Sequence, residues 1–425
     1  MGIFKSLGGS SSSNHTCPTL SLYESKTDPI TGSWTFHKLN LVISGAAVAF
    51  SCLSIFILMA NHAMHLSKPN EQLKIMRICL LIPVYGILCF LSVVAPEAYV
   101  YLHPWTDLAQ AVALGNFFLL LCELVSPNGN ERDTFFAALK VPAKKKRRNG
   151  GASSAQDGLT WYRRKWIAIF QFTPVSILIG IFTCITQAAK VYCLTSNKPY
   201  FAHLWLNIIH FLSLFVAVMS VLQFYKALRS ELSSHKPLAK LLAFKLLVFL
   251  NFVLQIIFMI LNGISPSPLA PTSQLSYSDM TVGIPMLINC LLMVPFSIFF
   301  HWAYDVTSYH LSHTPATAFA ATVDNDLEEM RPVVGNANPP QNRPIRYQGG
   351  PLGIKAWVWV WNPMELIHAI VFSFTMFSES RKAGGSGRGA YVYEQSPGLG
   401  DQRTSYEGYG RGAYGGGAGG IGYHG

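Results

Sequence analysis

The chain has 425 residues, 50% of them hydrophobic and only 12% charged, with a mean hydropathy of +0.30. This is too apolar and too poor in charge for an ordinary soluble domain of this length, and it points to a polytopic membrane protein. The formal net charge of +11 would suggest nucleic acid in a soluble chain. Here the basic residues sit in loops beside apolar runs, where anionic lipid is the nearer partner, so membrane lipids are expected and nucleic acid is not.

Residues 1 to 38 are polar and contain the N-glycosylation sequon Asn14-His15-Thr16, which would place them in a lumenal or extracellular space. The opening Met1-Gly2-Ile3-Phe4-Lys5-Ser6 also fits N-myristoylation, which would hold Gly2 in the cytosol. The two motifs disagree, and the loop charges arbitrate. A spanning helix needs about 20 mostly apolar residues, and seven runs qualify: Leu39 to Ala60, Ile75 to Val94, Leu108 to Val125, Trp166 to Gln187, His203 to Tyr225, Leu241 to Asn262 and Val282 to Ala303. The loop after span one holds Lys68, Lys74 and Arg77. The loop after span three holds Lys144-Lys145-Lys146-Arg147-Arg148 and Arg163-Arg164-Lys165, and the loop after span five holds Lys226, Arg229, Lys236 and Lys240. The other three loops hold only Lys190 and Lys198 between them. Short loops rich in Lys and Arg stay in the cytosol, so the N-terminus is expected outside and the C-terminus inside.

The transmembrane domain so defined covers residues 39 to 312. A Pro/Asn-rich cytosolic linker is expected over 313 to 350. Trp357-Val358-Trp359-Val360-Trp361 and the following apolar run, broken by Glu365 and His368, predict an amphipathic helix over 351 to 380 lying in the interface; an eighth span is the rival. Residues 381 to 425, rich in Gly and Tyr, are expected to be a disordered tail. Six of the eight cysteines fall inside apolar runs and read as small buried hydrophobes, whereas Cys17 and Cys193 both fall on the predicted lumenal side, where a disulfide between them would persist.

Polar groups within hydrocarbon must face the protein interior or a wet cavity. Arg77, Glu123, Lys245 and His301 fall at similar depth near the cytosolic ends of their spans, and Glu123 paired with Lys245 or Arg77 would close a cytosolic gate. The bland alternative for the two cations is that they snorkel to lipid phosphates. Deeper lie Asn116, Asn251, Gln255 and Asn289, a candidate solute path, with Asn251 and Gln255 on one helical face; the alternative is helix-to-helix hydrogen bonding at about 0.6 kcal/mol each. No Asp falls inside a predicted span, which argues against a proton relay. Pro83, Pro174, Pro285 and Pro295 interrupt spans and permit bends. No Walker motif, catalytic triad or metal-binding spacing is present, so neither an enzyme nor a cofactor is expected.

Arg77-Ile78-Cys79-Leu80-Leu81-Ile82-Pro83-Val84-Tyr85, Asn116-Phe117 followed by Glu123, Lys236-Pro237 before Lys245 and Phe249-Leu250-Asn251-Phe252, and His301-Trp302-Ala303-Tyr304 together resemble the organic solute transporter subunit alpha superfamily, which includes the plant Lazarus proteins. The resemblance spans about residues 40 to 310. It implies seven spans and facilitated, ATP-independent passage of steroid conjugates and related amphipaths, assisted by a small single-span subunit; a homo-oligomer is also open. The chain departs from the pattern at Asn251, Val253 and Leu292, where relatives usually carry Ser, an aromatic and an acidic residue. Residues 126 to 165 contain no Cys, so the superfamily's lipid-modified stretch has no counterpart. The expected setting is the plasma membrane or an endomembrane such as vacuole or endosome. A seven-span receptor or a membrane scaffold with a recruiting tail are the rival functions.

Overall fold

The computed structural model describes residues 27–126, 129–139, 157–194, 198–232, 250, 253–254, 256–258, 260–261, 271–311 and 347–385. Among them no β-strand occurs, and six stretches are long and apolar enough to cross a membrane: Phe36–Met64, Pro69–Val94, Pro96–Val125, Gly158–Ala188, Ala202–Ala227 and Asp279–Tyr309. The span expected over Leu241 to Asn262 lies largely outside the described residues, and its described residues are helical.

The helices are α1 (Phe36–Met64), α2 (Pro69–Cys79), α3 (Leu81–Val94), α4 (Tyr99–Val125), α5 (Gly129–Ala138), α6 (Gly158–Phe170), α7 (Phe172–Ala188), α8 (Ala202–Ala227), the single turn α9 (Arg229–Leu232), α10 (Ile284–Ala303), α11 (Ile354–Val360) and α12 (Met364–Gly385). Two expected spans are thus broken pairs, α2 with α3 and α6 with α7. The cause is proline in each case. Pro83 and Pro174 have no N–H for the carbonyl four residues back, and those carbonyls belong to Cys79 and Phe170, the residues at which α2 and α6 end.

The bundle has a near end, where α1 begins, and a far end, where α1 finishes. α4 is the central helix: 78% of its most apolar stretch is buried, against 33% for α1 and for α8. The outer helices turn large apolar side chains outward, among them Leu53, Phe182, Ile185, Leu212 and Phe215, each at least half exposed. A soluble protein rarely leaves so extensive an apolar surface bare, and a membrane protein presents it to lipid. At the near end, Asn40 of α1 donates to the Gly283 carbonyl (3.0 Å) and accepts from Ser44 (2.7 Å), tying α1 to the π turn Asp279–Gly283 that precedes α10. At the far end, Asp157 caps α6 by accepting from the Leu159 and Thr160 amides at 3.3 and 3.2 Å. The Thr160 hydroxyl and these amides hold its carboxyl below the usual carboxylate range.

An aromatic cluster joins α4, α5, α6 and α8: Phe118 packs on Phe224, Trp166 and Phe170 at centroid distances of 4.9, 5.5 and 5.9 Å, and Phe136 stacks on Tyr162 at 3.9 Å. Such pairs contribute about 0.5–1.5 kcal/mol each beyond area burial.

The single helix expected over 351 to 380 is replaced by a short 3₁₀ turn and two helices that dock on the bundle. The Gln348 amide donates to the Leu66 carbonyl at the far end of α1 (2.8 Å). Gly353 there has φ +74° and sits against Ala63, leaving no room for a side chain. α11 then advances along α1 and α2, placing Trp357 6.2 Å from Phe56. The chain reverses over Trp361, Asn362 and Pro363, and α12 runs back antiparallel to α6. Leu366 meets Phe170 over Gly115 of α4, whereas Trp166, one turn earlier in α6, donates its Nε1 to the Ala369 carbonyl (2.9 Å) and packs on Phe372 (5.6 Å). The pair is therefore a helical hairpin whose two outer ends both point to the far end.

A Cβ on Gly115 would lie 2.9 Å from Leu366 Cδ1 and 3.2 Å from Phe170 Cε1. Gly115→Ala should be near neutral, because Leu366 can rotate, whereas Gly115→Leu should overpack the α4–α6–α12 junction and cost about 1–3 kcal/mol. The check is thermal unfolding of the detergent-solubilised protein; equal melting temperatures for the two variants would contradict this packing.

Candidate functional site

Two polar assemblies stand out inside the apolar bundle. The first is a cavity of about 140 Å³ formed by α3, α4, α7, α8, α10 and the segment containing Leu254 and Phe258. Its depth follows from helix geometry. Tyr85 lies nine residues before the near end of α3, Asp107 eight residues into α4, Ile179 nine residues before the end of α7, His210 eight residues into α8, and Asn289 ten residues past Asp279. At 1.5 Å per residue all of them sit roughly 12–15 Å from the near end, about half of a 30 Å hydrocarbon core.

Asp107 is the centre of this cavity. Its Oδ2 lies 3.6 Å from His103 Nδ1, one turn back on α4, and 3.6 Å from His210 Nδ1 on α8, both beyond hydrogen-bond reach. Asp107 Oδ1, both ring nitrogens of His210 and Asn289 Oδ1 are buried without a hydrogen bond, and Asp107 and His210 are only 4% and 5% exposed. Buried polar atoms are nearly always satisfied, so a cluster of unsatisfied ones around one cavity marks a place built for water or a ligand.

Asp107 falls one residue before the span expected from Leu108 and so was not among the expected site residues. α4 in fact begins at Tyr99 and continues through Pro104; Pro104 leaves the carbonyl of Val100 without its usual amide, and both residues line the cavity. The usable signal was His103 and Asp107 at i, i+4, one helical face, running into an unbroken apolar stretch.

The second assembly lies toward the far end. Glu365 of α12 takes Lys74 Nζ on one carboxylate oxygen and Arg77 Nη1 on the other, each at 2.7 Å. Arg77 also donates to the last carbonyls of α11 and the turn beyond it, from Nε to Val360 (3.2 Å) and from Nη2 to Trp359 (3.1 Å) and Asn362 (3.0 Å). Lys74 lies 3.7 Å from Glu123 of α4, which in turn accepts from Arg132 of α5 at 3.3 Å. None of these five side chains is more than 15% exposed.

The expected gate is therefore differently wired. Arg77 and Glu123 belong to one network but do not touch; Lys74 and Glu365, read from sequence as a loop charge and a polar interruption, link them. His301 stands apart, bonded to Ser54 of α1 at its carbonyl (2.9 Å) and hydroxyl (3.1 Å). Of the expected path, Asn289 lines the cavity, whereas Asn116 is buried in α4 with its amide donating to the Val112 carbonyl (2.8 Å) and is not a lining residue. Lys245, Asn251 and Gln255 lie outside the described residues, as do Asn14 and Cys17. Cys193 is buried and disulfide-bonded, and the six cysteines within the helices are free. Among the described residues no group of His, Cys, Asp or Glu could hold a metal ion.

An all-helical bundle with six apolar spans among its described residues and a polar cavity at mid-depth defines an integral, multi-pass membrane protein. The family model for the organic solute transporter Ostalpha matches residues 40–309, and the chain belongs to that family. Its relatives include a transmembrane protein 184 homolog of Dictyostelium discoideum, 26% identical over 272 residues that cover 61% of this chain and 52% of that protein. The vacuole membrane protein hfl11 of Schizosaccharomyces pombe is 27% identical over 272 residues, 62% of this chain and 60% of that protein. The chain thus spans between half and three fifths of the length of these relatives. No solved structure matches.

Removing one partner of a buried ion pair leaves the other charge uncompensated, at a cost of about 3–5 kcal/mol. Glu365→Gln should therefore lower the thermal stability by an amount in this range and make α12 accessible to protease. In a double-mutant cycle, Arg77→Ala combined with Glu365→Gln should cost less than the sum of the two; strict additivity would show that the contact contributes nothing.

Proposed function

We propose that the protein lets amphipathic organic solutes or lipids cross its membrane without ATP hydrolysis, and that the Asp107 cavity is the station at which the solute's polar end rests. The observation that carries this reading is the pairing of a mid-depth cavity holding an unsatisfied carboxylate with a charge network that seals the opposite half. An ionisable residue inside a membrane protein is costly and marks a pathway far more often than it serves packing, and secondary transporters bind at mid-membrane with one side closed. Membership of a transporter family supports the same reading.

The topology that fits is seven spans, the seventh supplied by residues 241 to 262. The near end is then lumenal or extracellular and the far end cytosolic, because Lys144 to Arg148 and Arg163 to Lys165 follow the far end of α4. In this arrangement Cys17 pairs with Cys193 across the lumenal surface, Asn14 is glycosylated, and the α11–α12 hairpin enters and leaves from the cytosolic side. The vacuolar relative suggests an endomembrane. A single-span partner or self-association is compatible with this reading. Opening the far end would require the Lys74–Glu365–Arg77 contacts to separate, so the hairpin acts as the inner gate.

Uptake of labelled amphipaths into liposomes containing purified protein tests the transport reading. Wild-type protein should give saturable flux, and Asp107→Asn should reduce it roughly tenfold, the equivalent of 1.4 kcal/mol, with an unchanged melting temperature. Flux that is absent for folded wild-type protein, or unaltered by Asp107→Asn, would overturn it. For the topology, Cys17→Ser should abolish the difference in gel mobility between reduced and non-reduced protein, and Asn14→Gln should abolish any mobility shift on glycosidase treatment. A glycosidase-sensitive wild type fixes the N-terminus outside; an insensitive wild type together with labelled myristate at Gly2 would reverse the orientation.

A further inference from the structure

The lining of the cavity restricts what it can hold. Among its described lining residues the titratable groups are one carboxylate, Asp107, three imidazoles and three phenols, Tyr85, Tyr99 and Tyr192; none is Lys or Arg. An organic anion entering this space would meet no permanent positive charge among the described lining residues and would lie against a carboxylate in a low-dielectric setting, where like charges repel strongly. Every Lys and Arg in the ion-pair network of the bundle lies instead at the far end, already committed to Glu123 and Glu365.

A cation meets the opposite conditions. Asp107 Oδ1 has no hydrogen bond and no counter-charge except what the imidazoles can supply on protonation. With one carboxylate and no Lys or Arg among its described lining residues, the site's formal charge is negative. The rings complement this charge: Tyr99 meets His103 edge-on at 5.3 Å, Tyr192 meets His203 edge-on at 5.1 Å, and Phe211 lies beside His210 at 5.8 Å. A carboxylate and aromatic side chains lining one cavity are the chemistry that recognises an ammonium group, through one full charge and several ring quadrupoles. The cavity volume of about 140 Å³ suits a compact headgroup rather than a whole amphipath.

Building on the transport reading above, we infer that the Asp107 cavity is a binding site for the ammonium headgroup of an organic cation, with Asp107 as the counter-charge.

The test uses the full-length protein in nanodiscs and three tritiated probes that share one sterol skeleton and differ in the polar end: a quaternary ammonium, a hydroxyl and a sulfate. Equilibrium binding at pH 7.5 should favour the ammonium probe at least tenfold over the sulfate. Asp107→Asn should abolish this preference and Asp107→Glu should retain it, with melting temperatures recorded for both; if Asp107→Asn fails to fold, Tyr192→Leu, which removes a lining ring and keeps the charge, should weaken ammonium binding several-fold without making the sulfate the better ligand. Equal or tighter binding of the sulfate, or an ammonium preference that survives Asp107→Asn, would overturn the cation assignment. Flux of the same probes into liposomes separates the two readings. Ammonium binding without flux would refute transport and keep the site, whereas Asp107-dependent flux of the sulfate would keep transport and refute the cation.

Discussion

The constraint on which this structure depends is the cost of placing charge where water is absent. Moving an isolated ion into such a medium costs several kcal/mol even after relaxation, so each buried charge must find a counter-charge or a function. The far end largely meets the constraint, with three cations set against two carboxylates. Lys74, Arg77 and Arg132 are set against Glu123 and Glu365, and the guanidinium of Arg77 is further satisfied by three main-chain carbonyls. This assembly ties together α2, α4, α5, α11 and α12, elements separated by nearly 290 residues of sequence, and gives the C-terminal hairpin a fixed docking site rather than a loose association. The near half meets the constraint only in part. Asp107 has two imidazoles at 3.6 Å and no hydrogen bond to Oδ1. Paired charge accounts for architecture, and the under-paired charge accounts for the cavity.

The helix breaks connect the two halves. Pro83 and Pro174 end α2 and α6 at similar depths, and Pro104 and Pro285 both line the cavity. Each removes one backbone hydrogen bond and frees a carbonyl. The cavity is thus bounded by helices that are interrupted near it, which is where a bundle bends at least cost when one half must open and the other close. The hairpin adds a part that can move: it contacts the bundle through the ion pairs, the Trp166–Ala369 hydrogen bond and a few apolar side chains, while Val358, Trp361, Val371 and Phe374 face outward.

Much of the fold was legible in the sequence because hydropathy is a strong and local signal. Span positions agree within a few residues for α1, α8 and α10, and the family follows from motifs such as Arg77 to Tyr85. The errors lie where local pattern and tertiary context conflict. Glu365 looked like a defect in an apolar helix, because its partners Lys74 and Arg77 are almost 290 positions away and nothing local announces them. Asp107 falls one residue before the span expected from Leu108, whereas α4 starts at Tyr99 and runs through Pro104. Asn116, chosen for being polar at the right depth, bonds to its own backbone, as Ser, Thr and Asn within helices often do. Depth was readable and partner choice was not, since the second depends on which helices meet.

The account rests on the cavity being the solute's route, reached from the near end while the far-end network is closed. The most direct test is thiol accessibility in sealed vesicles of known orientation, in a background lacking the six free cysteines. His103 and Asn207, which line the cavity, and Glu123 of the far-end network are each replaced by Cys and exposed to a membrane-impermeant reagent from either side. His103→Cys and Asn207→Cys should be labelled from the side of the N-terminus alone and protected by the transported solute, and Glu123→Cys should not be labelled from that side. Labelling of the cavity positions from the opposite side alone, or labelling that the solute leaves unchanged, would contradict it.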